Sequence, residues 1–183
     1  MNLPNRLTLA RVIAIPAIVA LMMIGGRVCG LTAAVLFVAA SLTDYLDGHI
    51  ARSRGLVTDF GKFMDPIADK LLVTAVMIMM VERALMPGWV LVVFVAREFI
   101  VSGLRLVAAG KGRVLAAGKL GKLKTASQMA ALTVTLVGYY ALDGQMTPWL
   151  SAVSDALIYV ALVLAVWSGV DYLVRNREFI AQM

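Results

Sequence analysis

Four aspartates have the residue type and the spacing of a divalent-metal site: Asp44, Asp47, Asp65 and Asp69. Together with Asp59 they make up five of the eleven acidic residues of a chain that is 61% hydrophobic. Carboxylates at membrane depth cost at least about 2.5–3.5 kcal/mol each, and clustered ones also repel one another unless cations neutralise them. Oxygen ligands favour a hard ion such as Mg²⁺ or Mn²⁺. The segment 44–69 therefore predicts a site for two divalent ions, which can bind phosphate oxygens.

Helical geometry gathers these acids on two stripes. At 100° per residue, the first stripe spans an arc of about 100° and contains Asp44, Asp47, Gly48 and Ala51, with Arg52 at its edge. The second spans about 80° of the next helix and contains Gly61, Asp65 and Asp69. The glycines leave room for a bulky ligand, and the planar fork of Arg52 suits a phosphate. Asp59 and His49 fall off both stripes and are interpreted as helix-end and interfacial groups.

The elements that must position these residues are predicted to cross a membrane. The chain has 183 residues and a mean hydropathy of +0.88, and its apolar fraction exceeds the 45–50% or so of soluble domains. A bilayer core about 30 Å thick needs about 20 helical residues. Six segments of that length are separated by Gly, Pro and charges: 6–25, 31–53, 61–82, 87–109, 120–142 and 148–174. We expect an all-α integral membrane protein, one domain over 1–183, with six transmembrane helices and a short N-terminal amphipathic segment.

The distribution of basic residues predicts the orientation. Six spans put both termini on one side, and cytoplasmic segments carry the excess of Lys and Arg. With the termini and the 53–60 and 110–119 loops in the cytoplasm, 15 of the 17 basic residues lie nearer that side, and Arg27 and Arg83 lie outside. The net charge of +6 is therefore explained by topology, and no nucleic-acid partner is expected. The aspartate stripes fall at the cytoplasmic ends of their helices.

Eight positions of this stretch resemble the signature of the CDP-alcohol phosphotransferases: Asp44, Asp47, Gly48, Ala51, Arg52, Gly61, Asp65 and Asp69. Longer blocks are similar to the branch of that family that uses glycerol 3-phosphate, among them "SLTDYLDG", "FGKFMDPIADKLL", "AREFIVSGLR" and "GKLKTASQ". The resemblance implies a six-helix homodimer embedded in lipid in the cytoplasmic membrane, with its site open to the cytoplasm. It also implies transfer of the phosphatidyl group of CDP-diacylglycerol to glycerol 3-phosphate, with release of CMP and two ions of Mg²⁺ or Mn²⁺ as cofactors.

The resemblance also assigns roles to single residues. Asp44 and Asp65 are expected to contact both metals. Asp47 is expected to serve one metal, and Asp69 the other, with Asp69 also acting as the general base for the acceptor hydroxyl. The CDP-lipid is expected to contact Asn5, Thr8, Gly48, Arg52, Thr58 and Gly61. From the residues alone, Thr58 could equally cap the third helix, and Asn5 and Thr8 an N-terminal amphipathic helix.

A phosphate-bearing acceptor requires cations in addition to the metals. The candidates on spans four to six are the cations Arg97, Arg105, Lys122 and Lys124, together with the hydroxyl of Tyr172. Lys122 and Lys124 lie about 200° apart on a helix, so both cannot face one pocket. Glu98 and Arg105 share a helix face, and an ion pair between them is the alternative to a role of Arg105 in binding.

Two other functions are compatible with the sequence. Acids inside a membrane also mark ion pathways, so a divalent-cation transporter is one of them, although these acids gather at one end of the spans. A sister enzyme with another acceptor, such as inositol phosphate, serine or phosphatidylglycerol, is the other.

Overall fold

The structure is a computed structural model that describes residues 3–54, 59–113, 115 and 118–181, and side chains within 7–43, 64–113, 115 and 118–181. The six long helices are α1 (Leu3–Ile24), α2 (Gly26–Arg54), α3 (Asp59–Glu82), α4 (Gly88–Gly110), α5 (Lys119–Ala141) and α6 (Pro148–Arg175). A short α7 (Arg177–Ala181) follows. Over these residues the all-α prediction is confirmed.

The helix boundaries agree with the predicted breaks, with one difference at the start. Gly25 and Gly26 have φ of +74° and +73°, which glycine adopts without steric cost, and they form the tight turn between α1 and α2. The helix α1 runs without interruption from Leu3, so the described residues show no separate amphipathic segment before the first span. Pro4 does not break α1, because proline is tolerated in the first turn of a helix.

Composition and exposure indicate a membrane protein. Within the described residues, three helical segments are long and apolar enough to cross a bilayer: Leu7–Ile24, Gly26–Thr43 and Pro148–Arg175. Large apolar side chains are exposed on the helix surfaces, as at Val28 (78%) and Leu106 (75%). The segments 61–82, 87–109 and 120–142 also form long helices, and their role as spans stays a prediction.

The first of two compact units comprises Met1–Leu85 and Leu136–Met146. In it α1 packs against both α2 and α3. The buried residues of α1 recur every three or four positions, which makes one continuous stripe: Thr8, Arg11, Ile15, Ile18 and Met22. The ring of Tyr140 packs on α2 at Gly30, where an added Cβ would lie 1.8 Å from it. Side-chain size at Gly30 therefore sets how closely Tyr140 packs on α2.

Arg83, which directly follows α3, connects the C-terminal ends of α1 and α3. Its Nη2 donates to the Met22 carbonyl and, at 3.4 Å, to the Met23 carbonyl. These belong to the last turn of α1, where carbonyls lack partners within the helix and a cation is favourable. The guanidinium also lies 5.7 Å from the ring centroid of Tyr140. Arg83 therefore caps α1 from the end of α3.

The second unit comprises Met86–Thr135 and Thr147–Met183. In it α4 packs along α6, and the two run in the same direction, because contacts advance together along both. Trp89 meets Tyr159 at a ring-centroid distance of 6.1 Å. Nearer the C-terminal end of both helices, Tyr172 and Phe179 bury a cluster with Val101, Leu104 and Ala108 of α4.

Candidate active site

Asp65 and Asp69 lie one turn apart on the face of α3 that packs into the first unit. At 100° per residue, both fall within about 100° of the buried Ala68 and Leu72, and both carboxylates are partly buried. The acids therefore extend the apolar stripe of α3 toward its N-terminal end. This agrees with the predicted second aspartate stripe.

Thr8 of α1 contacts this stripe directly. Its hydroxyl donates to Oδ1 of Asp65, and the residue is only 3% exposed. Thr8 lies inside α1, which begins at Leu3, so the interpretation of Thr8 as an N-terminal cap is wrong. A residue predicted to bind the CDP-lipid therefore contacts a residue predicted to bind metal.

The first aspartate stripe can be placed by its backbone. Arg11, 4% exposed, donates from Nε to the Ala40 carbonyl at 3.4 Å. Because α1 and α2 are antiparallel across a tight turn, three residues back along α1 correspond to three residues forward along α2. The backbone of α2 therefore reaches the level of Thr8, and so of Asp65, at about residue 43. The segment that begins with Asp44 starts at this level.

Several predicted residues lie outside the part whose side chains are described. The set comprises the side chains of Asn5, Asp44, Asp47 and Arg52, and the whole of Thr58. Gly48 and Gly61 are helical, in α2 and α3. Among the described side chains no group of three or more His, Cys, Asp or Glu converges, and this comparison includes only two of the four predicted ligands. Those two supply carboxylate oxygens, which suit Mg²⁺ or Mn²⁺.

A second polar group, which we call the cationic cluster, lies in the second unit and consists of Arg97, Glu98, Lys124 and Ser168. Arg97 Nη1 lies 2.9 Å from Glu98 Oε1, and Lys124 Nζ pairs with the same oxygen. Arg97 Nη2 donates to Ser168 Oγ at 3.0 Å. The side chains of Arg97 and Lys124 are 12% and 4% exposed. Two cations and one anion leave this buried cluster with an excess positive charge.

The cluster retains capacity for an anion. Arg97 Nε is buried and has no hydrogen-bond partner among the described residues. Small residues flank this arginine, since a Cβ at Gly169 would lie 3.1 Å from Arg97 Cγ, and one at Gly121 would lie 3.7 Å from its Nη2. These glycines let the arginine pack closely against α5 and α6, and an unpaired guanidinium N–H can donate to a phosphate oxygen.

Arg105 lies two turns further along α4, about 12 Å from Arg97 by helix rise, and contacts α6. Its Nε donates to the Tyr172 hydroxyl at 3.2 Å, and its guanidinium lies 5.3 Å from that ring's centroid. The alternative of an ion pair between Glu98 and Arg105 is not found: Glu98 pairs with Arg97 and Lys124, and Arg105 contacts Tyr172 of α6.

The two lysines expected to compete for a pocket have different environments. Lys124 is buried on the face of α5 that meets Glu98, and its Nζ lies 5.9 Å from the ring centroid of Phe94. Lys122 is exposed. This matches the angular separation of the two residues.

Sequence reasoning missed Glu98 and Ser168 as members of a polar cluster. A signal for Glu98 was present, since an acid beside an arginine within an apolar helix needs a partner. It also treated Arg11 only as a cytoplasmic charge. The spacing of Arg11 from Ile15 and Ile18 places it on the buried stripe.

Comparison with known proteins shows the family of the chain. Residues 1–167 match the family model described as CDP-alcohol phosphatidyltransferase, and the chain belongs to that family. A protein of Bacillus subtilis (strain 168) named CDP-diacylglycerol--glycerol-3-phosphate 3-phosphatidyltransferase is 42% identical, over 97% of this chain and 96% of its own length. One of the same name from Shigella flexneri serotype 5b (strain 8401) is 38% identical, over 96% and 95%. A cardiolipin synthase (CMP-forming) of Oryza sativa subsp. japonica is 37% identical, over 94% of this chain and 56% of its own.

Proposed function

We propose that this protein transfers the phosphatidyl group of CDP-diacylglycerol to sn-glycerol 3-phosphate, giving phosphatidylglycerophosphate and CMP. One observation carries the proposal: relatives named for this reaction align with nearly the whole chain at about 40% identity. Family membership also favours a transferase over a divalent-cation transporter.

The metal ligands in this proposal are Asp44, Asp47, Asp65 and Asp69. The shared buried face of Asp65 and Asp69, and the backbone level of residue 44, support a common site. Two divalent ions, Mg²⁺ or Mn²⁺, would neutralise the diphosphate of the CDP-lipid and the phosphate of departing CMP. Asn5, Gly48, Arg52, Thr58 and Gly61 are proposed to hold the CDP part of the substrate.

Asp69 is the proposed general base. It accepts the proton of the primary hydroxyl of glycerol 3-phosphate, and the freed oxygen forms a bond to the lipid-side phosphorus. The bond from that phosphorus to the bridging oxygen breaks, and its electron pair leaves with CMP. Positioning and charge stabilisation supply most of the acceleration in such transfers.

The cationic cluster is the proposed site for the acceptor phosphate. Its excess positive charge, its burial and the unpaired Nε of Arg97 support an anion there, since charge-assisted hydrogen bonds are the stronger ones. Arg97 and Lys124 are proposed as the direct ligands. Arg105 and Tyr172 are assigned to the same substrate on their cationic and hydroxyl chemistry. The exposed Lys122 is proposed to add to the positive field that attracts it.

We further propose a homodimer in the cytoplasmic membrane, with both termini and the active site in the cytoplasm. The bias of basic residues toward one end of the predicted spans supports this orientation. The surrounding lipid is the source of CDP-diacylglycerol.

A second acceptor has specific support. The rice relative is named a cardiolipin synthase and is 37% identical over 94% of this chain, so phosphatidylglycerol is the competing acceptor. It lacks the terminal phosphate monoester of glycerol 3-phosphate, whereas the cationic cluster favours an acceptor that carries one.

The test is CMP release by purified protein given CDP-diacylglycerol, Mg²⁺ or Mn²⁺, and one acceptor at a time. Glycerol 3-phosphate should give the fastest release, ahead of phosphatidylglycerol, serine and inositol phosphate. Asp69→Asn should abolish turnover and largely spare CDP-lipid binding. Full turnover in that variant would refute the base assignment, and a faster reaction with phosphatidylglycerol would refute the acceptor.

A further inference from the structure

The hydroxyl of Thr8 has a different hydrogen-bond partner from five other helical hydroxyls among the described residues. Thr32, Ser41, Thr43, Thr125 and Thr135 each donate to the carbonyl four residues earlier in their own helix, at 2.7–3.1 Å. This is the usual bond of Ser and Thr inside a helix. Thr8 instead donates across to the Asp65 carboxylate on α3.

The bond restricts the carboxylate. An ionised Asp accepts hydrogen bonds at two oxygens with about four lone-pair directions. A hydroxyl on Oδ1 occupies one of these directions and limits rotation of the group. Thr8 can hold this position, because it is 3% exposed and belongs to the buried stripe of α1, and β-branching restricts its χ1 angle.

We propose that Thr8 is a positioning residue that orients Asp65 for metal binding, and is not itself a contact of the CDP-lipid. The inference rests on the proposed metal role of Asp65. Hydrogen-bond partners of metal ligands fix the orientation of those ligands, and losing one commonly lowers metal affinity by about 10–100-fold. Thr8 supplies such a partner from a neighbouring helix.

The experiment measures Mn²⁺ binding to the full-length protein in detergent without CDP-lipid, by the electron paramagnetic resonance signal of free Mn²⁺. Thr8→Val keeps the shape and removes the hydroxyl, so its Kd for Mn²⁺ should rise by about 10–100-fold. Thr8→Ser keeps the donor and should bind nearly as the wild type does. Thr32→Val is the matched control, because the exposed Thr32 hydroxyl bonds its own helix at 2.8 Å, and it should change nothing.

Asp65→Asn separates this inference from the proposed function. If Asp65→Asn binds Mn²⁺ as the wild type does, the proposed metal role of Asp65 fails. If Asp65→Asn is weakened but Thr8→Val is not, the positioning role of Thr8 alone is overturned, and a raised KM for CDP-diacylglycerol would assign Thr8 to the substrate. Equal weakening by Thr8→Ser and Thr8→Val would also overturn it, since the effect would then follow packing. Thr8→Ala replaces Thr8→Val if the valine variant melts before it can be measured.

Discussion

Replacing Lys124 by methionine is expected to weaken binding of glycerol 3-phosphate and to leave binding of CDP-diacylglycerol unchanged. Methionine has nearly the same length and volume as lysine, so the buried site stays filled. Glu98 keeps its ion pair with Arg97 at 2.9 Å and is not left unpaired. The substitution therefore removes one cation from the cationic cluster, together with the cation–π contact of Lys124 with Phe94.

The magnitude follows from the bond that is lost. A hydrogen bond to a charged group contributes about 1.5–3 kcal/mol, and each 1.4 kcal/mol corresponds to a factor of about ten. The KM for glycerol 3-phosphate should rise by about 10–150-fold, with a smaller change in kcat. The effect of the substitution on KM should be large, because Lys124 is 3% exposed and its interactions are not screened by water.

The assay is CMP release as a function of glycerol 3-phosphate at saturating CDP-diacylglycerol. Lys122→Met is the control, since it makes the same chemical change two residues away on the exposed side of α5. It should raise KM by a much smaller factor, which salt should reduce further. An equal rise in both variants, or an unchanged KM in Lys124→Met, would refute the assignment of the cluster to the acceptor phosphate.

Three further results are expected. Gly30→Ala should lower the melting temperature by several degrees, because its Cβ would lie 1.8 Å from the Tyr140 ring and overpacking costs about 1–3 kcal/mol. Gly103→Ala is the control and should leave the melting temperature unchanged, because its Cβ meets nothing within 4 Å. Equal effects of the two substitutions would contradict the packing of Tyr140 on Gly30. Arg83→Met should destabilise the protein by about 1–2 kcal/mol in thermal melting, since the carbonyl of Met22 loses its hydrogen bond. The KM for glycerol 3-phosphate should stay constant. A melting curve identical to that of the wild type would contradict the capping role of Arg83. Chelation by EDTA should stop CMP release and added Mg²⁺ or Mn²⁺ should restore it, whereas activity that survives chelation would contradict the metal role.

The sequence predicted the helices well, because their signal is local. The glycines at 25–26 and the Pro–Gly pair at 87–88 lie at helix ends, and the six predicted segments correspond to six long helices. The shared helix face of the acids was also predictable, since residues four apart, such as Asp65 and Asp69, lie on one side of any helix. The start of α1 was not, since the prediction separated the amphipathic start of the chain from the first apolar segment.

Contacts between helices could not be predicted from the sequence, because they depend on how one helix is rotated and shifted against another. The bond from Thr8 to Asp65 depends on the register of α1 against α3, which neither segment specifies alone. The choice of Lys124 over Lys122 depends on which side of α5 meets α4. The helical phase showed that only one of these lysines could face inward and left the choice between them open.

The pairing of α1 with α3 is held at two points. Thr8 bonds Asp65 near one end, and Arg83 bonds the carbonyls of Met22 and Met23 at the other, about 21 Å away along α1. Sliding one helix past the other by a turn, about 5.4 Å, would break both attachments at once. We therefore expect the two helices to move together, so that any opening that shifts Asp65 also shifts α1.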